Sequence, residues 1–581
     1  MSGVDPTALL GEPVPPVPVQ TSRPIARRDP ATVMRLSRLG AFHQSRLSFM
    51  RILTRRMHRE RWTFSRMVFA VDASGVGHAV YTVRTPQRSY SLVAFLHDLP
   101  DEQRSDRVIA EAWDATFTLF DGVPEAGDIA RLSNNVPLQE AGRLEATELS
   151  LARANRSVRL WEHVIASLAA GEQPSREQID AVGYLMRTTA VYGSGKFGAA
   201  DRERVADREE LAAPFQVEML TVYLIRTCVR DLAEHLARSR GGATSVPLAP
   251  DIARSIGIGN STGLGMAPFI LNHPVLFNNW ISVREEAIAR VRNLEAIEAD
   301  RLAHFRRMLA RSMVCATRWQ SSHPVQQAKI DTLRQDLVRL GDRLAVDGSL
   351  DQHPWDRLYR WAESTLGLEA QECIASLMLE PHPELVDELA DAMACPGGGT
   401  ARIDGGMPLC ELSAILARVY GWALSVDWQD PAHCARAWYV SAEKQEPRLG
   451  ERFEEPIEPF EQPLAPARDA ARLHAALSSQ APDTPCAEFL LRHPEHRHTV
   501  RRLQVVAQAP YAEIRDNTIA ADVLPIDMLR AKLSFFGATR FDPRSDRWVR
   551  ICLYGNAPYP EELAEADADT WVYPPLPAGH A

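Results

Sequence analysis

Lysine is almost missing from this chain. Only four of its 65 basic residues are lysine, Lys196, Lys329, Lys444 and Lys532, and the other 61 are arginine. On a solvated surface either residue serves, but arginine cannot give up its proton near neutral pH whereas a desolvated lysine can. The lysines are therefore candidates for amine chemistry, against the plain alternative that a drift toward arginine missed four sites.

Other shortages narrow the function classes. The longest apolar runs, such as Val217 to Ile225 (VEMLTVYLI), fall far short of the ~20 residues that span a bilayer, so no integral membrane role is expected. The formal net charge of −10 provides no basic field for neutralising phosphates, which argues against a nucleic-acid partner. The basic stretch Arg51 to Arg61 (RILTRRMHRER) is interrupted by Glu60 and reads as a solvated helix surface. The eight cysteines are scattered without a CxxC pair, the usage of a reducing compartment. The first thirty residues contain no apolar stretch after a basic start, so no secretory signal is expected and the protein is placed in the cytoplasm. No GKS or GKT follows a glycine run, and HExxH is absent.

What is present belongs to an ordinary globular protein: 45% apolar and 24% charged residues over 581 positions, enough for two to four packing units. Residues 1–30, rich in proline and small side chains, read as a disordered or draped arm. Three β-like runs, Trp62 to Val71, His78 to Arg84 and Ser89 to His97, are separated by hairpin punctuation and predict an antiparallel meander in a small α+β unit over 31–128. From 129 to 394 apolar periodicity predicts a large multi-helix core. Its clearest segment is Gln139 to Ala170, where Leu144, Leu151, Val158 and Ile165 recur every seven residues with Thr147, Ala154, Trp161 and Leu168 as the companion row. Connectors with a short helical piece follow over 395–466, and a smaller mixed unit over 467–581. The expected fold class is thus mainly α.

Three segments carry the candidate chemistry. In Gly257 to Pro268 (GIGNSTGLGMAP), four glycines with Asn260, Ser261 and Thr262 fit an anion nest, with His273 nearby as acid or base. The competing reading is a glycine-rich turn between closely packed helices. In Arg187 to Gly198 (RTTAVYGSGKFG), Arg187 is a substrate-binding candidate and Tyr192 and Lys196 are catalytic candidates, against a helix end with a solvated lysine. On the expected long helix, Glu148, Asn155 and Glu162 share one edge. The glutamates fit a solvated flank, and Asn155 is kept as a pocket residue.

A cluster of His493, Glu495, His496 and His498 lacks partners at a recognised ligand interval, so no metal is assigned, and the sequence names no cofactor. The function expected is an enzyme acting on a small anionic metabolite by non-redox acid/base chemistry, of lyase or transferase type, in a homo-oligomer. A non-catalytic helical scaffold is the alternative.

Overall fold

The computed structural model describes residues 24–29, 40–100, 112–138, 144–188, 207–262, 274–321, 324–346, 352–393, 403–425, 427–429, 465–508, 525–542, 549–564 and 570–573, with 33, 38, 103 and 205. Its organising feature is one mixed sheet of nine strands, ordered β1-β2-β3-β4-β5-β6-β7-β9-β8. The strands are β1 Thr63–Val71, β2 Gly77–Arg84, β3 Ser89–Leu96, β4 Ala115–Asp121, β5 Glu148–Arg156, β6 Tyr184–Thr188, β7 Gly257–Thr262, β8 Arg540–Asp542 and β9 Val549–Leu553. Every neighbouring pair is antiparallel except β6 and β7, which run parallel.

The sheet bends around a 26-residue helix, Gln216–Gly241, which touches each strand from β2 to β7. Its first fourteen residues, Gln216 to Val229, are buried on all sides, as a helix enclosed by other elements must be. Beyond Arg230 only Leu232, Ala233, Leu236 and Ala237 stay buried, the 3–4 spacing of a helix with one face on the core. Helices Pro274–Arg292, Ala299–Thr317, Pro324–Val346, Pro354–Thr365 and Leu368–Leu377 pack beside this sheet-and-helix body and share its hydrophobic core. A second, smaller core belongs to Leu409–Leu424, Ala465–Ser478, Cys486–Arg492 and Arg497–Gln508, centred on Leu412, Leu416, Leu473 and Leu503.

This corrects the expectation of a mainly α protein with a small N-terminal meander. The meander is only the first third of a sheet that runs through the chain to residue 553. The expected long helix 139–170 contains strand β5 and then a short helix, Trp161–Ala169. In β5 residues 148–152 are all buried, so both faces lie against protein and the alternation that marks a strand is lost. Likewise, GIGNST is strand β7 rather than a turn between helices.

The basic stretch 51–61 also differs from its expected solvated surface. It forms helix Phe49–Arg59, in which Arg51 and Arg56 are buried. Arg51 turns inward to meet Glu380, with two bonds of 2.6 and 2.7 Å. The segment 24–29 is similarly tied down: Arg28 bonds both oxygens of Glu285 at 2.7 and 2.8 Å and Glu372 at 2.7 Å. No helix among the described residues is long and apolar enough to cross a membrane.

Candidate functional site

Because β6 and β7 are parallel, their carboxyl ends emerge on the same side of the sheet. Two glycines make the β7 position. A side chain on Gly257 would meet Leu553 O and Cys552 Sγ, and a Cβ on Gly259 would lie 2.6 Å from Tyr184 Cγ. The glycine-rich composition of this segment thus serves the close approach of β6 and β9.

Asn260 follows, and it is buried, 3% exposed. Its Nδ2 donates to the carbonyl of Thr188, the last residue of β6, at 3.1 Å. That bond fixes the amide so that Oδ1 faces the other way, toward the Nζ of Lys532, 3.4 Å distant. Lys532 stands on helix Pro525–Phe536, which ends at Gly537 in the left-handed conformation, its N–H bonding the carbonyls of Lys532 and Leu533 at 3.2 and 3.1 Å. The helix is seated firmly. Gly40 lies against the backbone of Arg530 and Ala531, Ala41 N donates to Ser534 Oγ at 2.7 Å, and Phe535 meets Trp280 edge to face with centroids 4.2 Å apart.

Lys532 is 4% exposed, and among the described residues its hydrogen-bonding partner is Asn260 alone. Burial pushes its ammonium from the usual 10.5 down to about 7, with no carboxylate pulling the other way. At neutral pH a substantial part of the amine is therefore unprotonated, the form that acts as base or nucleophile. The residues predicted as catalytic, Lys196, Tyr192 and His273, lie outside the described residues.

Asn155 and Arg187 are brought next to β7 but not to the amine. Asn155 on β5 pairs with Arg187 on β6, and Arg187 pairs with Gly259 on β7, so the three form one row across the sheet. Asn260 is the next residue of β7 and by strand alternation turns to the opposite face. Both ends of the Asn155 amide are already engaged, with Oδ1 accepting from Asp114 N at 2.9 Å and Nδ2 donating to Ala112 O at 3.1 Å. It holds the chain entering β4. Ser261 and Thr262 pair with Arg550 and Val549 of β9. Glu148 and Asn155 share β5, and Glu162 belongs to the helix beyond it. Glu148 is bonded to Arg131 at 2.8 Å.

Sequence reasoning placed Lys532 among the four rare lysines without preferring it. A signal was present: its neighbours Ala531, Leu533, Phe535 and Phe536 make this a largely apolar helical run, an unusual place for an ammonium.

Two other buried polar clusters are saturated. Around Glu372, Arg28 and Arg284 lie at 2.7 and 2.8 Å and Arg38 at 3.0 Å. Burial works to raise its pKa, yet the guanidiniums outweigh it and hold the carboxyl down to about 2. Around Glu380, Arg51 and His43 Nε2 bond at 2.6 and 2.8 Å, and Tyr573 Oη lies 3.3 Å from His43 Nδ1. Burial keeps His43 below its usual value, despite the pull of Glu380. Among the described residues no group of His, Cys, Asp and Glu is placed to hold a metal, and His493 bonds Glu495 at 3.2 Å on an outer surface. No family model matches the sequence, and neither a curated protein nor a solved structure matches it.

Proposed function

We propose that the protein is an enzyme that binds a small anionic metabolite at the carboxyl ends of β6 and β7 and transforms it by non-redox acid/base chemistry, of lyase or transferase type, with Lys532 as the group that takes and returns the proton. One observation carries this reading. Lys532 is a buried cation for which the described chain supplies no counter-charge, and its one bond is a 3.4 Å contact to a neutral amide. Burying an ammonium without a partner is costly, and an anionic ligand would provide the missing charge. A pKa of about 7 then lets the same group exchange a proton during turnover at neutral pH. The six described cysteines are all free thiols, which supports a reducing, cytoplasmic setting.

The reading predicts proton-linked binding. An anion that settles beside Lys532 raises its pKa, so binding above pH 7 takes up a proton. The test is a thermal-shift screen of small carboxylates and phosphates against wild type and Lys532→Met, followed by calorimetry of each hit in two buffers of different ionisation enthalpy. The expected result is a ligand that raises the wild-type Tm, takes up protons at pH 8 and leaves the variant unmoved. A ligand that raises both Tm values equally, or a screen with no hit, would sink the proposal.

A further inference from the structure

The amine at residue 532 has a second property that proton transfer does not use. The other fully buried cations among the described residues are arginines with their charge answered: Arg51 by Glu380, Arg284 by Glu372, Arg530 by Glu369, and Arg226 by the carbonyls of Ile256, Arg254 and Ala557. Among the described residues of a chain with 61 arginines and four lysines, the buried cation answered neither by an acid nor by a set of carbonyls is a lysine. A permanently charged guanidinium would serve the first set and is useless as a nucleophile, whereas a primary amine in its neutral form attacks carbonyl carbon.

We infer that the substrate is a 2-oxo acid and that Lys532 Nζ bonds to its carbonyl carbon as an imine, held by Asn260 at the ends of β6 and β7. This deepens, and rests on, the proposal of an anionic metabolite at this site. In the step, the nitrogen lone pair forms the C–N bond and the carbonyl π pair moves to oxygen. Both amine protons leave with that oxygen as water, and the C=N bond closes without any oxidant or reductant. Once protonated, the imine carries the same single positive charge as the ammonium it replaces. A carboxylate on the adjacent carbon neutralises it within the same molecule, which is why an anionic carbonyl compound fits where a neutral one does not. Asn260 Oδ1, fixed by the Nδ2 bond to Thr188 O, is placed to accept the N–H of the protonated imine and to hold the nitrogen in one orientation.

The scarcity of lysine makes the test clean, because an amine-directed adduct has only four lysines and the N-terminus to choose from. The full-length protein is incubated with pyruvate or glyoxylate, reduced with borohydride, weighed intact and mapped by peptide mass spectrometry. The expected product is one adduct per chain, with the mass of the probe less one oxygen atom. It should sit on Lys532 at least tenfold above Lys196, Lys329 and Lys444, and be lost in Lys532→Met and Lys532→Arg. Its rate of formation should rise with pH through about 7 rather than near 10. Adducts spread evenly over the lysines, or confined to others, would overturn the inference. If no adduct forms while an unreactive dicarboxylate such as succinate still raises the wild-type Tm, the carbonyl inference falls and the anion reading stands. If neither probe nor dicarboxylate acts on wild type, both fall.

Discussion

Buried positive charge is handled in two opposite ways in this molecule. Around Glu372 and Glu380 each acidic oxygen is met by a guanidinium at 2.6 to 3.0 Å, and the carboxyls are driven below their ordinary range. Around Lys532 the hydrogen-bonding partner among the described residues is an amide oxygen at 3.4 Å, and burial drives the cation itself toward neutrality. In the first setting, charge is retained and serves to join distant parts of the chain: Arg28 reaches Glu372 across 344 positions. In the second, charge is made removable, which is worthless for joining and useful for chemistry. On the function proposed above, the difference separates a structural ion cluster from a reactive site even though both are buried.

Removing one member from the saturated clusters gives the largest expected effect. Arg51→Met leaves Glu380 with His43 and Arg46, and stranding a buried carboxylate costs roughly 3–5 kcal/mol. Equilibrium denaturation measures it, and a loss under about 1 kcal/mol would show that Glu380 does not depend on this arginine. The acid limb reports the neighbouring cluster. Glu372 is lowered from 4.5 to about 2, so its contribution is complete above pH 4.5 and drains away as pH falls from there through 2. In Glu372→Gln that part of the acid unfolding curve should flatten.

The lysine answers with the opposite sign. Lys532→Met replaces an unpaired buried amine by an apolar chain of similar length, and it should stabilise the fold by about 3 kcal/mol at pH 6. Below pH 7 the lysine is charged in both folded and unfolded chains and its whole penalty is felt. As pH rises from about 7 toward 10.5 the folded form stays neutral while the unfolded form still binds a proton, so the penalty fades and the two stability curves converge. A variant less stable than wild type at pH 6 would mean that the lysine has a partner after all, and the contrast with the arginines would collapse.

A smaller loss is expected where β6 and β7 approach. In Gly259→Ala the new Cβ must push the Tyr184 ring aside, at a cost of roughly 1–3 kcal/mol. Thermal unfolding measures it, and an unchanged Tm would show that the ring can move freely and that the parallel pair is not tightly fixed.

The same comparison explains what the sequence made legible. β1 to β3 announce themselves because hairpin turns at Asp72 to Gly75 and Thr85 to Gln87 bound runs of β-branched and aromatic residues. β5 is hidden by success in burial: with Leu149 and Leu151 on one face and Ser150 and Ala152 on the other all inside, periodicity cannot choose between strand and helix. β7 is hidden because its glycines, poor strand formers, are demanded by Leu553, Cys552 and Tyr184, which come from 75 to 296 positions away. Asn260 was legible as unusual, since an amide in a glycine run is easily seen. Its partner was not, because Lys532 lies 272 residues on and only the fold brings the two together. Arg51 and Arg56 read as surface for the same reason: their partners Glu380 and Asp391 are remote in sequence, and an arginine on a helix looks solvated until its acid is found.

The finest test converts one setting into the other by a single atom. Asn260→Asp keeps the size of the side chain and its place between Thr188 O and Lys532 Nζ, but it supplies the counter-charge that the lysine lacks. A carboxylate in contact with an ammonium raises the cation's pKa by about 1–3 units, so Lys532 should move from about 7 back toward the ordinary lysine range. Overall stability should change least of all these variants, since the new ion pair is offset by the desolvation of the aspartate and by its lost donation to Thr188 O. Reactivity should change far more. At pH 7 the neutral amine fraction, and with it the rate of borohydride trapping, should fall about tenfold or more, and be recovered by raising the pH. An unshifted pH profile in this variant would show that charge at position 260 is not felt by Lys532, and that the amine's neutrality has another origin than the missing acid.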